Sequence, residues 1–125
     1  MGNDEFLKDF YAIVELALHI SEIARREGLL AVEDSLDNDK VENRDIFEYG
    51  LRFVVDGTDD EVIDKILSNI IKQEKDELQL KLKTIQKEAV LAIHEGVNTR
   101  ILFSLLNSYT DIPLNDPVFK KILGD

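Results

Sequence analysis

Apolar residues recur at three- and four-residue intervals along most of the chain, the spacing that places side chains on one face of an α-helix. The first such segment covers about residues 4–26, and Asn3 or Asp4 can cap its start. Gly28 either kinks this helix or separates it from a short second helix over residues 29–35. The apolar face of the first segment consists of Phe6, Phe10, Ile13, Val14, Ala17, Ile20 and Ala24.

The stretch 34–44 is rich in aspartate and asparagine and predicts a solvated loop. A helix is predicted after it, because Asp45 and Glu48 have the spacing of an N-terminal cap. Asp56 and Gly57 then form a helix-stop signal. The apolar positions of this helix are Phe47, Leu51, Val54 and Val55.

Thr58 and Glu61 have the spacing of a capping box and predict the start of the next helix. Its amphipathic pattern runs to about His94, interrupted by the charged stretch 72–77. A continuous helix of this length would span roughly 50 Å. We therefore expect either a break near residues 72–77 or one long helix that protrudes from the domain.

The final third of the chain predicts two more helices. Gly96 ends the preceding helix, and Asn98 is a plausible cap for a helix over about 100–109. Asp116 caps a last short helix with Pro117 at its first position. With no convincing strand, the prediction is an all-α fold. We expect residues 1–125 to form a single domain, a compact bundle of five or six helices. One long helix that protrudes from this bundle remains an alternative.

Composition narrows the possible partners. The net charge of -11 over 125 residues repels phosphate backbones and anionic lipid, so neither nucleic acid nor a basic membrane contact is expected. No apolar run approaches the roughly 20 residues needed to cross a bilayer, so no membrane insertion is expected. The acidic start lacks the features of an export signal, which makes the cytoplasm the expected location.

Candidate catalytic chemistry is sparse. The chain has no cysteine, and its two histidines, His19 and His94, belong to no metal-binding motif. The acidic runs at 34–39 and 59–61 lack the alternation of an EF-hand loop. We expect no cofactor, no metal and no enzymatic activity. A small metal- or ligand-binding enzyme would instead need a pocket that joins either histidine to several carboxylates.

The segment ARREGLLAVE, residues 24–33, is more informative about function than these candidate catalytic residues. Arg25 and Glu33 would stand about two turns apart on a continuous helix, where they can offer opposite charges to a partner. From the residues alone, ordinary surface charges beside a core-facing stripe are the preferred interpretation.

Two segments of the chain resemble one family. ARREGLLAVE, followed by LRFVVDGTDDEVIDKIL, is similar to the cytoplasmic loop of MotA-type flagellar stator subunits, which belong to the MotA/TolQ/ExbB superfamily. The loop resemblance covers residues 20–71. KEAVLAIHEGVNTRILFSLLNSY, within residues 78–110, is similar to the cytoplasmic tail after the fourth membrane helix of that family.

The resemblance implies a non-enzymatic flagellar motor protein of bacterial motility and chemotaxis. It would contact the rotor protein FliG or other motor components through charged residues, in the cytoplasm or peripheral to the inner membrane at the flagellar base. The family's functional arginine and glutamate fall on Arg25 and Glu33, with Arg26 beside them.

The membrane helices of the family are missing, since residues 72–77 stand where the third and fourth would lie. The family's ion pathway lies in those helices. The chain is then either a natural soluble relative or two joined cytoplasmic pieces, and the helical register across the junction favours the natural relative.

The alternative is a structural scaffold or adaptor that binds a partner other than the rotor. It would use an exposed apolar surface on the helix over 78–93, whereas a face buried within the monomer would count against it. Homo-oligomerisation through an apolar face is also open.

Overall fold

The computed structural model describes residues 2–38 and 45–123, in which seven helices and no strands are present. The all-α prediction is confirmed, and the helices outnumber the five or six expected. The loop predicted over 34–44 is wrong for residues 34–38, because α2 continues through them, and residues 39–44 lie outside the described part. The helices are α1 Gly2–Glu27, α2 Leu29–Asn38, α3 Asp45–Val55, α4 Asp60–Ile71, α5 Glu77–Glu95, α6 Thr99–Asn107 and α7 Pro117–Leu123.

Gly28 separates α1 from α2. Its φ of 93° lies in the left-handed region, which glycine enters without the steric cost that a Cβ brings. Its amide still donates to the carbonyl of Ala24 at 3.1 Å, so α1 ends in a closed turn. Helix α2 then packs against both α1 and α3, and its Val32 and Leu36 are completely buried.

The long amphipathic pattern that follows Thr58 is interrupted at its charged stretch. The expected break near residues 72–77 is therefore confirmed. α4 ends at Ile71, and a turn over 72–76 leads into α5, which packs against α4. Asp76 caps α5 by accepting from the amide of Gln79 at 2.9 Å. The alternative prediction of one long protruding helix is therefore wrong. Because the helix is broken there, no continuous helical register crosses the position at which the family's third and fourth membrane helices would lie. The register therefore no longer favours a natural soluble relative over two joined cytoplasmic pieces.

The predicted caps had different outcomes. Asn98 accepts from the amide of Ile101 at 2.9 Å, and Asp116 accepts from the amide of Val118 at 3.0 Å, as expected. The capping box at Thr58 is wrong, because Asp59 takes the N-cap position and makes no side-chain cap hydrogen bond. The carbonyl of Thr58 lies 3.2 Å from Nε2 of His94 instead.

Helix α5 lies at the centre of the bundle and packs against α1, α3, α4 and α6. Most of its apolar surface is buried within the monomer, with Leu80 exposed at 37%, and this burial counts against the adaptor that would use this face. No helix within residues 2–38 and 45–123 is long and apolar enough to span a membrane. The buried apolar positions of α5 are Leu82, Ile85, Ala89, Val90, Ala92 and Ile93.

Candidate functional site: the α1–α2 corner

The break between α1 and α2 at Gly28 leaves a run of residues outside the core. We call residues 25–34 the α1–α2 corner. Its first six residues are all exposed, and Leu30, at 77% exposure, is the most accessible large apolar residue in the described chain. The exposure follows from the turn, since the last residues of α1 and the first of α2 extend beyond the packed parts of both helices.

Arg25 and Arg26 form the basic side of the corner. Both are exposed and lie in the last turn of α1, where positive charge complements the negative end of the helix dipole. Nε of Arg26 lies 3.8 Å from a carboxylate oxygen of Glu22, and the two side chains are 68% and 50% exposed. An ion pair this accessible contributes little to stability, so it restrains Arg26 only weakly.

Glu33 forms the acidic side, together with Asp34. Both are exposed on α2, on the other side of Gly28 in the chain from the arginines. The predicted single ridge with Arg25 and Glu33 two turns apart is wrong, because Gly28 breaks the helix between them. The corner therefore presents two arginines followed by Glu27 on α1 and two acidic side chains on α2, with Leu29 and Leu30 at the bend.

Neither of the two histidines belongs to the α1–α2 corner, and their surroundings differ. His19 is exposed on α1, beside a shallow cleft that Glu15 and Glu22 also line. Nδ1 of His94 contacts the carboxylate of Asp60 at the start of α4. Across the described ranges, no three histidine or carboxylate side chains converge as a metal site would require.

A polar network between α4 and α5 was not predicted from the sequence. Nζ of Lys87 lies 2.9 Å from Asp64 and 3.1 Å from Oγ of Ser68. The hydrogen bond from Lys87 lowers the pKa of Asp64. Burial alone would lower the pKa of Lys87, but its hydrogen bond to Asp64 and the nearby carboxylates outweigh burial and raise it.

A second lysine of α5, Lys83, pairs with an acidic residue in the turn that connects α4 to α5. Nζ of Lys83 contacts Glu74 at 2.8 Å, and the other oxygen of Glu74 accepts from the amides of Lys75 and Asp76. The hydrogen bond from Lys83 lowers the pKa of Glu74. Two lysines four residues apart on one helix were a visible signal, but the sequence did not show which acids they would meet.

Comparison with known proteins gives one informative similarity. The chain is 42% identical over 65 residues to motility protein A of Borreliella burgdorferi. The matched part is 50% of this chain and 24% of that relative, so the chain spans about a quarter of the relative's length. No protein-family model matches the chain. No solved structure matches it either. Over the matched half of its length, the chain is therefore related to motility protein A.

Proposed function

We propose that this chain is a non-enzymatic component of the flagellar motor, in which it serves as a MotA-like module that binds another motor protein. The observation that carries the proposal is the 42% identity to motility protein A. The resemblance described above supports the same family through both ARREGLLAVE and the segment around KEAVLAIHEGVN. The all-helical fold suits such a role, because its exposed helix ends can present charges without a catalytic pocket.

The contact surface in this proposal is the α1–α2 corner. Arg25 and Glu33 are exposed, so a partner can reach both without any rearrangement of the core. Opposite charges on the two sides of the bend suit a partner with the reverse arrangement, which would also fix the orientation of binding. Leu30 at the bend adds an apolar contact that the partner can bury.

The proposed partner is the C-terminal domain of the rotor protein FliG. The resemblance supplies this identity, and the geometry of the corner is compatible with it. The chain would then act at the flagellar base, beside the inner membrane.

A binding measurement with matched charge reversals tests the proposal. The immobilised C-terminal domain of FliG is titrated with the wild-type chain and with Arg25→Glu, Arg26→Glu and Glu33→Lys. Each reversal at a true contact should weaken binding by about tenfold or more, because like charges then face each other across the interface. Lys65→Glu and Glu61→Lys are controls, since both residues are exposed on α4, which packs mainly against α3 and α5 rather than against α1 or α2.

Two results would contradict the proposal at different levels. If the wild-type chain does not bind the rotor domain, the partner is wrong. If it binds and the corner variants match the controls, the partner stands and the corner is not the contact. A charge-swapped rotor domain that recovers binding to Glu33→Lys would establish a direct pair.

A further inference from the structure

His94 lies in the last turn of α5, where both nitrogens of its ring meet oxygen acceptors. Nδ1 contacts the carboxylate of Asp60, the first residue of α4. Nε2 lies 3.2 Å from the backbone carbonyl oxygen of Thr58, two residues earlier in the chain. A carboxylate and a carbonyl can only accept hydrogen bonds. Each contact is therefore favourable only when the ring nitrogen that faces it carries a hydrogen.

A neutral imidazole ring carries one such hydrogen and can satisfy only one of the two acceptors. Its other nitrogen then directs a lone pair at an oxygen, which is unfavourable. A protonated ring carries hydrogens on both nitrogens and can satisfy both acceptors at once. The Asp60 oxygen in this contact is inaccessible to water and is hydrogen-bonded to no other residue of the described chain, so the Nδ1 hydrogen is the donor available to it.

The two helix ends that meet here favour the same charges. The dipole of α5 favours a cation at its C-terminal end, where His94 lies, and the dipole of α4 favours an anion at its N-terminal end, where Asp60 lies. Asp59, the N-cap residue of α4, makes no side-chain cap hydrogen bond. His94 contacts the residues on both sides of Asp59, so it can hold the start of α4 in place of the missing cap.

The acidic groups near this contact also favour a protonated ring. Asp60 is the charged side chain that touches it. Four further acids are close to the contact in sequence, and their negative charges act in the same direction, screened by solvent because all four are exposed. They are Asp56 and Asp59 before α4, Glu61 in its first turn and Glu95 beside His94.

The basic groups of the neighbouring elements do not oppose this preference by contact. Lys87, two turns earlier on α5, is engaged with Asp64 at 2.9 Å. Arg52 of α3 pairs with Glu48, also at 2.9 Å. Helices α1, α3 and α6 pack against α5 as well, and within residues 2–38 and 45–123 none of their charged side chains forms an ion pair with His94. The other basic residues of α4 and α6, Lys65 and Arg100, are exposed.

We propose that His94 is a pH-sensitive latch, in which protonation of the ring ties Thr58 and the start of α4 to the end of α5. Histidine side chains ordinarily titrate at about pH 6.5. The side chain of His94 is 28% exposed, so protons reach it from solvent. Below this pH both contacts form, whereas above it the neutral ring keeps one and releases the other.

The sign of the effect follows from where the extra hydrogen bond exists. It forms only in the folded chain and only with the protonated ring. Its contribution to stability is therefore complete at low pH and is lost as the pH rises through the titration of His94. The latch lies in the α4–α5 pair and not in the α1–α2 corner, so it does not depend on the proposed function.

Amide hydrogen exchange followed by NMR tests the latch at the helix start that it holds. The amides of Val62 and Ile63 donate to the carbonyl of Asp59 at 3.1 and 3.0 Å, so their exchange reports on opening of the first turn of α4. Their protection factors, which correct for the intrinsic effect of pH on exchange, should fall about fivefold between about pH 5.5 and about pH 8. The amide of Leu80, which donates to Asp76 at the start of α5, is the internal control and should keep its protection.

Three variants identify the group that is responsible. His94→Gln can still donate a hydrogen bond but does not titrate, so the pH dependence at Val62 and Ile63 should disappear. His19→Gln removes the other histidine of the chain and is the matched control, which should retain the full dependence. Asp60→Asn removes the anion and should reduce the fall to about twofold or less. Circular dichroism checks that every variant is folded.

The wild-type ring provides a second measurement that needs no variant. Nitrogen-15 spectra of the imidazole distinguish a ring protonated on both nitrogens from either neutral tautomer, and His94 should change from the first to the second between the two pH values. Equal protection of Val62 and Ile63 at both pH values would overturn the latch, as would a dependence that persists in His94→Gln. A ring that is already neutral at the lower pH would overturn it even if the variants fail to fold.

Discussion

Oε1 of Gln86 accepts a hydrogen bond of 2.9 Å from the backbone amide of Phe47, and both residues are fully buried. Phe47 is the third residue of α3, where the amides of a helix have no partner within the helix. A side chain of the central helix α5 therefore satisfies the start of α3 from inside the core. This contact joins two segments that are 39 residues apart in the chain.

Replacement of Gln86 by leucine should therefore be costly. The amide of Phe47 would remain buried without an acceptor, which destabilises the fold by about 1–3 kcal/mol. Urea unfolding followed by circular dichroism measures the loss. Gln73→Leu is the control, because Gln73 is exposed and its loss should change stability by no more than about 0.5 kcal/mol. Equal stabilities of the two variants would show that the buried bond contributes nothing.

Gly50 allows α3 to approach its neighbours closely. A Cβ added there would lie 2.9 Å from side-chain carbons of Leu67 and of Val90, which is too close for real contacts. Gly50→Ala should destabilise the fold by about 1–3 kcal/mol, less the roughly 1 kcal/mol that alanine gains within a helix.

A double-mutant cycle separates these two effects. In a Val90→Ala background, part of the steric conflict is removed and Gly50→Ala should cost less. Gly28→Ala is the control, because its Cβ would meet nothing within 4 Å. Its cost of about 1 kcal/mol comes from the positive φ alone and should be the same in both backgrounds. An unchanged cost of Gly50→Ala would rule out the close contact with Val90.

The α4–α5 network predicts how stability depends on pH. Hydrogen bonds from lysines lower the pKa of Asp64 and of Glu74 in the folded state. Their stabilising contribution is complete above the pKa of the unfolded carboxyls, near 4, and is lost as the pH falls through the lower folded values. The free energy of unfolding should therefore decline below about pH 4.5.

Lys87→Met tests the contact between Lys87 and Asp64 in this network. Methionine keeps much of the aliphatic stem of Lys87 but cannot donate to Asp64. Because Asp64 is 49% exposed, solvent screens the pair, and the loss at neutral pH should be no more than about 1 kcal/mol. The decline in acid should be shallower in this variant than in the wild type. Identical pH profiles would contradict the role of Lys87.

Phe119 anchors α7 to the bundle. It is 2% exposed, and its ring lies edge-on to Phe103 at a centroid distance of 4.7 Å and to Tyr11 at 6.1 Å. Phe119→Ala should cost about 3 kcal/mol, because it leaves a cavity among these rings. Leu114→Ala, at an exposed position close in sequence, should stay within about 0.5 kcal/mol of the wild type. Comparable losses in both variants would argue against the aromatic anchor.

The sequence by itself determined the helical class and many helix ends, because these depend on neighbours in the chain. Apolar spacing identified the buried faces, and the caps at Asn98 and Asp116 followed from residues two or three positions away. The charged stretch before α5 similarly indicated a break, since no apolar face continues through it. The residues around Arg25 and Glu33 by themselves favoured ordinary surface charges, and only the family resemblance indicated a contact site there.

Only the tertiary structure decided how those elements meet. Gly28 permitted either a kinked helix or two separate helices, and the structure has two, with Val32 and Leu36 of the second completely buried. The contacts from Gln86 to Phe47 and from Lys87 to Asp64 join different helices, so no local pattern could predict them. The exposure of Val62 and Ile70 on α4 is likewise visible only after packing, because the sequence shows one wide apolar stripe and the fold buries just part of it.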